Sequence, residues 1–397
     1  MNSVDTPQKI AESTTESGLT RRERAESSQS IDERTHRRFA VKLAARPIRG
    51  TACPGRSRGE FVVRSLVIHG VRDIRIDEIA APELTDDTII AQTKTASILM
   101  ENVGMWNGLD PRVRGNELNP LLRGYPMTMA GEIVAEVVEV GRNVDSVEVG
   151  DRLVSYTAYD ELHAVTPGAW TAVGRDMPLD AAISLPFSGT TLHCVRRARV
   201  VVGDNVAVIG QGPMGLLVTQ WLQIAGAGQI IVTDHFEERL RLAAESGATS
   251  CLNPREVDVY EAVRELTDGR GADIVINATN SPDAFEFAMR LARDQGRVVV
   301  LSWHTHPITI NDITQDFYNK ELEIIATRAG GPSASVKSPY VRWTGDESQK
   351  YIERMVASGR FSPASLITHR SPVEKVDEAL RTVEDRPDAV VKAVLEW

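Results

Sequence analysis

The sequence predicts an α/β protein with two folded parts, a β-rich domain followed by a doubly wound parallel sheet of six strands. From Val62 onward, short segments such as SLVIHG and DIRIDEI alternate apolar and polar residues, which is typical of half-buried strands. From about Leu179, strand-like runs alternate with helix-like runs, the order of a parallel α/β sheet. The stretch GQGPMG joins the first of these strands to a helix-like segment. Together these patterns predict a mixed architecture with its ligand site in the second part.

Composition narrows the class of protein. The chain has 397 residues, enough for two domains, and it carries 25% charged residues and a net charge of −10. That charge argues against a general binder of nucleic acids or anionic membranes. No apolar run approaches the roughly 20 residues of a membrane helix, and no secretory signal is recognisable. Three widely spaced cysteines exclude a disulfide framework and favour a cytoplasmic protein.

Residues 1–60 differ from the rest of the chain. They are rich in Ser, Thr, Glu and Arg and poor in large apolar residues, as in RRERAESSQSIDERTHRR, so we expect a disordered extension. Three interpretations remain open: a solvated tail, a basic contact arm, or a segment that is not translated because Val62 or Val63 is the start codon. An intact mass of the native protein that includes residues 1–60 would exclude the third interpretation.

The β-rich part continues over several short strands. TIIAQTKTASI, EIVAEVVEVG and DRLVSYTA read as strands, and GRNVDSVEVGD between the last two is rich in turn residues. A succession of short strands of this kind favours a compact β domain or barrel.

The strongest motif is NVAVIGQGPMGLLVTQWLQIAGAGQIIVTD, residues 205–234. Gly210 permits a tight turn, Gly212 lets the backbone approach a pyrophosphate, and Gly215 allows close packing of helix on strand. The helix that follows offers free N–H groups to phosphates. We therefore predict a dinucleotide site that includes, besides these glycines, Pro213 and Met214.

Asp234 ends the second strand of this motif, about 20 residues after the glycines, where an acidic residue binds ribose hydroxyls. Because a carboxylate repels a 2′-phosphate, NAD is expected rather than NADP. Arg239, expected on the following helix, keeps NADP as an alternative.

Further βα units follow in ATSCLN, ADIVINAT, GRVVVLSW and LEIIATR, which completes six strands. Ligands of doubly wound sheets bind at the carboxyl ends of the strands. The residues at those ends are the remaining candidates for the cofactor cleft: Thr279, Asn280, Ser302, Trp303 and His304.

Over about residues 62–397 the chain resembles the medium-chain dehydrogenase/reductase family. The resemblance is carried by VEVGRNVDSVEVGDRL, by the glycine motif with Asp234, and by the closing LITHRSPVEKVDEALRTVEDRPDAVVKAVLEW. It implies a GroES-like catalytic domain over 61–183, a Rossmann NAD-binding domain over 184–330, and a segment over 331–397 that returns to the first domain. It also implies a homodimer or homotetramer.

The segment KSPYVRWTGDE, with Arg328 before it, resembles a narrower branch that includes zinc-lacking relatives associated with sugar, cyclitol and tetrapyrrole chemistry. We assign Arg328 to the cofactor site on this basis.

The family's zinc ligands are missing at the matching positions. The first ligand, a cysteine in a Cys-Gly-x-Asp setting, matches Leu99–Asn102, the second matches Gly131, and the third falls in Pro186–Ser188. No cysteine-rich lobe follows GDRL either. The sequence therefore predicts a site without metal.

Without a metal, a side chain must exchange the proton of the substrate oxygen. The candidates are Glu132, His163, Glu101, Tyr125 and His304. Three of them have a structural alternative: Glu132 can pair with an arginine, His163 can be a hydrogen-bonded core histidine, and Tyr125 can simply pack.

We expect an NAD-dependent oxidoreductase that interconverts a secondary alcohol of a cyclitol, sugar or polyol and its ketone. Two alternatives remain open. One is a zinc-free quinone or enoyl reductase using NAD(P)H, which Asp234 disfavours. The other is a non-catalytic NAD-binding redox sensor, which would bind the nucleotide without turning over any substrate.

Overall fold

In the first strand of the chain, Leu66 and Ile68 are fully buried two residues apart, as the alternating pattern of the sequence predicts. The computed structural model describes residues 61–110, 124–302, 304, 307–328 and 342–397. The predicted extension 1–60 and the predicted cofactor residue Trp303 lie outside the described residues. The elements of the β-rich part are β1 (Val62–Gly70), β2 (Asp73–Ala80), β3 (Ile89–Ile98), α1 (Met100–Trp106), β4 (Met127–Thr128), β5 (Ala130–Val140), β6 (Arg152–Ala158), β7 (Leu162–Val165) and β8 (Thr171–Val173).

The second part begins with two helices and continues as a strictly alternating βα series. Its elements are α2 (Leu179–Ala182), α3 (Leu185–Ala198), β9 (Asn205–Ile209), α4 (Pro213–Ala225), β10 (Gln229–Thr233), α5 (Glu237–Glu245), β11 (Ser250–Leu252), α6 (Val259–Leu266), β12 (Ala272–Asn277), α7 (Pro282–Leu291), β13 (Ala292–Val300), a π-helical turn (Thr314–Tyr318) and β14 (Glu323–Ala326).

These six strands form one parallel sheet in the order β11-β10-β9-β12-β13-β14. Successive residues of β9 face opposite sides: Val206 and Val208 pack in one apolar cluster, and Ala207 and Ile209 pack in another. A parallel sheet covered by helices on both faces needs such continuous apolar strands. The predicted α/β fold with a doubly wound six-stranded sheet is confirmed.

The last segment contains α8 (Gly345–Ala357), a 3₁₀ turn (Pro363–Leu366), β15 (Ile367–Pro372), a second 3₁₀ turn (Val373–Lys375), α9 (Val376–Asp385) and β16 (Lys392–Glu396). Thr344 caps α8, because its hydroxyl accepts a hydrogen bond from Glu347 N while the Glu347 carboxylate accepts one from Thr344 N.

Strand β16 pairs antiparallel with β3, so the end of the chain completes the sheet of the first domain. That seven-stranded sheet runs in the order β15-β16-β3-β5-β6-β8, with β7 also on β3, and a three-stranded sheet β2-β1-β4 lies beside it. Among the described residues, no helix combines the length and apolar character needed to cross a membrane.

Candidate active site

A cleft of about 1540 Å³ lies between the β-rich domain and the parallel sheet. On the sheet side it is lined by the carboxyl ends of the strands, and on the other side by the end of β3, the start of α1, strand β6 and the start of α3. The carboxyl edge of a doubly wound sheet is where such folds bind nucleotides.

The glycine turn has the geometry that its sequence predicts. Gly210 has a φ of +89°, and a Cβ there would lie 2.4 Å from Cγ2 of Thr279. A Cβ on Gly215 would lie 1.9 Å from the carbonyl oxygen of Gly210, so helix and strand approach too closely for a side chain. Gly212, by contrast, faces open space in the cleft and caps the N-terminus of α4. This cradle fits the pyrophosphate of a dinucleotide.

Asp234 follows β10 directly and lines the cleft with only 7% of its surface exposed. Its Oδ2 accepts a hydrogen bond from Gln211 N at 2.7 Å, and its Oδ1 accepts one from Phe236 N at 3.1 Å. A carboxylate has about four acceptor positions, so capacity remains for ribose hydroxyls. Arg239 lies on α5 as predicted, with Nη1 3.8 Å from Asp234 Oδ2.

The other predicted cofactor residues within the described part of the chain also line the cleft: Pro213, Met214, Thr279, Asn280, Ser302 and Arg328. The backbone N–H and hydroxyl of Thr279 both donate to Oδ1 of Asn277, at 3.0 Å each, which orients the loop after β12.

His304 lines the cleft as well, and both of its ring nitrogens are buried without a hydrogen-bond partner in the described structure. Buried polar atoms are normally bonded, so this imidazole is available to a ligand in the cleft.

The positions that hold zinc in the family do not fit a metal here. Leu99 is an apolar residue at the N-terminus of α1. A Cβ on Gly131 would lie 2.0 Å from the hydroxyl oxygen of Tyr159, so the tyrosine ring fills the space that a histidine would need. In the third region, Ser188 Oγ donates to the carbonyl of Ser184 at 2.7 Å. Zinc requires nitrogen, sulfur or carboxylate donors, and no group of three His, Cys, Asp or Glu residues in the described ranges can hold a metal.

Tyr159, which occupies that space, is fully buried, and its hydroxyl donates to the carbonyl oxygen of Ser97. Burial holds the pKa of this phenol well above its usual range. Tyr159 is therefore a neutral packing and hydrogen-bonding group.

Glu132 lies behind the cleft surface, not on it, and it is fully buried. Its Oε2 is 2.6 Å from Nζ of Lys392 and also accepts from Ser97 Oγ, and its Oε1 accepts from Phe187 N at 3.2 Å. The ammonium donates its other hydrogens to the carbonyl of Ile183 at 3.1 Å and to Ser184 Oγ at 2.9 Å.

Each hydrogen of the Lys392 ammonium therefore has an acceptor. Burial raises the pKa of the Glu132 carboxyl, and Lys392 with the two other donors opposes that rise. The expected paired carboxylate is present, with a lysine as its partner where an arginine was expected. This arrangement does not support direct proton transfer by Glu132.

Two other proton-transfer candidates lie away from the cleft lining. His163 on β7 is buried, and its Nε2 lies 3.0 Å from Oγ1 of Thr93. Burial lowers the pKa of His163 to about 4, so its imidazole is neutral near pH 7. The hydroxyl of Tyr125 donates to the carbonyl of Met105 at 2.5 Å, and burial raises the pKa of that phenol. Neither side chain lines the cleft.

Glu101 is the predicted carboxylate that the structure brings to the cleft. Its Oε1 accepts a hydrogen bond from the hydroxyl of Tyr156, which also lines the cleft and is 44% exposed. Sequence reasoning missed Tyr156. The alternation of DRLVSYTA predicts a strand, but nothing in that pattern says which partner the phenol has.

The chain is similar to known dehydrogenases in sequence and in fold. The sequence profile of the zinc-binding dehydrogenase family matches residues 213–344. The chain is 28% identical to the L-threonine 3-dehydrogenase of Bacillus subtilis strain 168 over 334 residues, 76% of this chain and 90% of that protein. It is 25% identical to the erythritol/L-threitol dehydrogenase of Mycolicibacterium smegmatis over 366 residues, 83% of this chain and 96% of that protein.

Solved structures share the fold. An alcohol dehydrogenase of Escherichia coli CFT073 in complex with NADH has a TM-score of 0.71 and 20% identity, over 85% of this chain and 99% of that one. A protein of Sinorhizobium meliloti 1021 bound to NADP has a TM-score of 0.69 and 20% identity, over 85% of this chain and 100% of that one. With its nucleotide cradle, its two-domain cleft and these relatives, the chain belongs to the medium-chain dehydrogenase/reductase superfamily of zinc-type alcohol and polyol dehydrogenases, and it is an oxidoreductase of that family.

Proposed function

We propose that the protein interconverts a secondary alcohol of the cyclitol, sugar or polyol type and its ketone, with NAD and without zinc. The observation that carries the proposal is the contrast between the two ends of one cleft. The nucleotide end keeps the glycine cradle and Asp234. Toward the other end, position 131 has no metal-binding side chain, because Tyr159, buried behind the cleft lining, fills the space that a histidine would need.

The preference for NAD rests on Asp234. Its carboxylate is held by two backbone N–H groups, so it cannot swing away from a nucleotide in the cleft. Hydroxyl groups of an adenosine ribose satisfy its remaining acceptor positions, whereas a 2′-phosphate would meet a negative charge in a largely buried place. The guanidinium of Arg239 lies 4.9 Å from the ring centroid of Phe236 and offsets part of that repulsion.

A bound nicotinamide ring accepts or supplies the hydride. The protein supplies the rest: Gly210–Met214 orient the nucleotide, and polar side chains in the cleft exchange the substrate proton. The polyol class is supported by the similarity to the erythritol/L-threitol dehydrogenase, whose named substrates carry secondary hydroxyls.

The direct test follows the absorbance of the reduced cofactor with NAD⁺ or NADP⁺ and a panel containing erythritol, L-threitol, sorbitol, L-threonine and myo-inositol. We expect turnover with NAD⁺ on at least one polyol or cyclitol. Nucleotide binding without turnover on the whole panel would favour the redox sensor, and turnover restricted to quinones or enones with NADPH would favour the reductase.

Replacement of the carboxylate tests the cofactor assignment separately. Asp234→Ala removes charge-assisted hydrogen bonds to the ribose, so the Kd for NADH, measured by fluorescence, should rise about 10- to 100-fold. Asp388→Ala, at an exposed carboxylate that pairs with Arg386, is the matched control and should bind NADH like the wild type. Unchanged affinity in Asp234→Ala would contradict the assignment.

A further inference from the structure

Glu101 and Tyr156 are joined by a hydrogen bond inside the cleft, although they come from different elements. Glu101 is the second residue of α1, and Tyr156 lies on β6. The phenol donates to Oε1 of the carboxylate, and both side chains line the same cavity as Gly210–Met214. A donor and an acceptor are therefore already in contact where a substrate and a nucleotide would meet.

The pair lies near the positions that match the zinc ligands of the family. Leu99, at the first ligand position, directly precedes α1 and lines the cleft. Tyr156 is the cross-strand partner of Glu132, next to Gly131 on β5. Phe187, from the third ligand region, lines the cleft and binds Glu132 through its backbone N–H. The pair thus faces the cleft from the region that carries all three altered ligand positions.

The other described candidates are less suited to proton exchange. Glu132, His163 and Tyr125 do not line the cleft, and each is engaged elsewhere. His304 lines the cleft but contacts no described group that would take the proton onward. A hydroxyl that donates to a carboxylate can at the same time accept a proton from a substrate hydroxyl, which is the arrangement of a proton relay.

We propose that Tyr156 contacts the substrate oxygen and that Glu101 is the proton acceptor behind it, so that this pair replaces the metal. The inference rests on the proposed alcohol–ketone activity. In the oxidation direction the substrate O–H bond breaks and its proton binds Tyr156 Oη, while the phenol proton moves to a Glu101 oxygen. The carbinol C–H bond breaks as its hydride passes to the oxidised nicotinamide, and a C=O bond forms. The products are the ketone, the reduced nucleotide and a neutral Glu101, and reduction runs the same steps backwards.

The test compares Tyr156→Phe and Glu101→Gln with two matched controls, Tyr318→Phe and Glu265→Gln, at exposed positions away from the cleft. The probe is whichever panel substrate the wild-type enzyme turns over with NAD⁺. Each test variant should lose about 100-fold or more in kcat, the usual size of a general acid–base contribution, while the Kd for NADH stays within about twofold.

A purely structural role would not change the next two readouts. The pH profile of kcat should differ between Glu101→Gln and the wild type. The double variant should be no slower than the slower single variant, because residues that act as one relay are not additive.

The outcomes separate the two proposals. Wild-type kcat in Tyr156→Phe, or strictly additive losses in the double variant, would overturn the relay while the alcohol–ketone activity stands. Absence of turnover by the wild-type enzyme on the panel, with nucleotide binding intact, would overturn the proposed function and the relay with it.

Discussion

The β-rich domain holds two carboxylates beside each other that have opposite surroundings. Glu132 is fully buried, bound to Lys392, Ser97 and the backbone of Phe187. Glu101 is partly exposed in the cleft and bound to the phenol of Tyr156. The two sites are linked through the sheet, because Tyr156 and Glu132 are cross-strand partners. One carboxylate is thus enclosed by the protein, and the other lines the cleft.

Burial, more than the place of a carboxylate in a motif, separates the roles of these two residues. Glu132 keeps the motif position next to the lost ligand, yet all its partners are structural. It connects β5, the start of α3 and the C-terminal strand β16, so it ties the returning end of the chain to both domains. Burial of a charge pair costs desolvation free energy. Removal of either partner alone is strongly destabilising, because it leaves an uncompensated buried charge.

The largest expected effect on stability is at the buried pair of Glu132 and Lys392. Lys392→Met leaves Glu132 buried without its counter-charge, so the free energy of unfolding should fall by about 3–5 kcal/mol in urea denaturation. The double variant Glu132→Gln with Lys392→Met removes both charges and should recover part of that loss.

The Glu101–Tyr156 pair in the cleft provides the matched control for stability. Glu101→Gln and Tyr156→Phe alter a partly exposed contact, so each should change the free energy of unfolding by less than about 1 kcal/mol. Equal losses in the free energy of unfolding from Lys392→Met and Glu101→Gln would contradict the distinction between the buried Glu132 and the cleft-lining Glu101.

A smaller effect on stability than that of Lys392→Met is expected from His163, which is also buried in the β-rich domain. Its pKa is about 4 in the folded protein, against 6.5 for the unperturbed group, so between these values the unfolded chain binds a proton that the folded protein does not. Stability from this group is therefore present above pH 6.5 and is lost as the pH falls towards 4, by up to about 3 kcal/mol.

His163→Gln should remove that dependence, so the stability difference between wild type and variant should shrink from pH 7 to pH 4.5 in parallel urea titrations. A difference that stays constant over this range would contradict this, because it would show that His163 takes up its proton equally in the folded and the unfolded protein.

Local patterns predicted the parts of the molecule in which one segment determines the geometry. The glycine turn, Asp234 and the six parallel strands depend on residues close in sequence, and the structure has them where the pattern placed them. The absence of a metal-binding side chain at Gly131 could also be predicted, because it is visible in the sequence itself.

Contacts between distant segments were not predicted. Lys392 is 260 residues from Glu132, and Tyr159 is 62 residues from Ser97. The one usable signal was the lysine in the middle of the apolar run AVVKAVLEW, since a lysine on a buried strand needs a carboxylate partner. Tyr156 gave no such signal, because an aromatic residue is common in any strand.

We infer that protein side chains, and not a metal, serve the reaction end of the cleft. The most direct measurement is metal content by mass spectrometry on the purified, active protein, combined with kcat before and after dialysis against a chelator. We expect much less than one zinc per chain and an unchanged kcat. One tightly bound zinc per chain, with turnover lost on its removal and restored on its return, would contradict it.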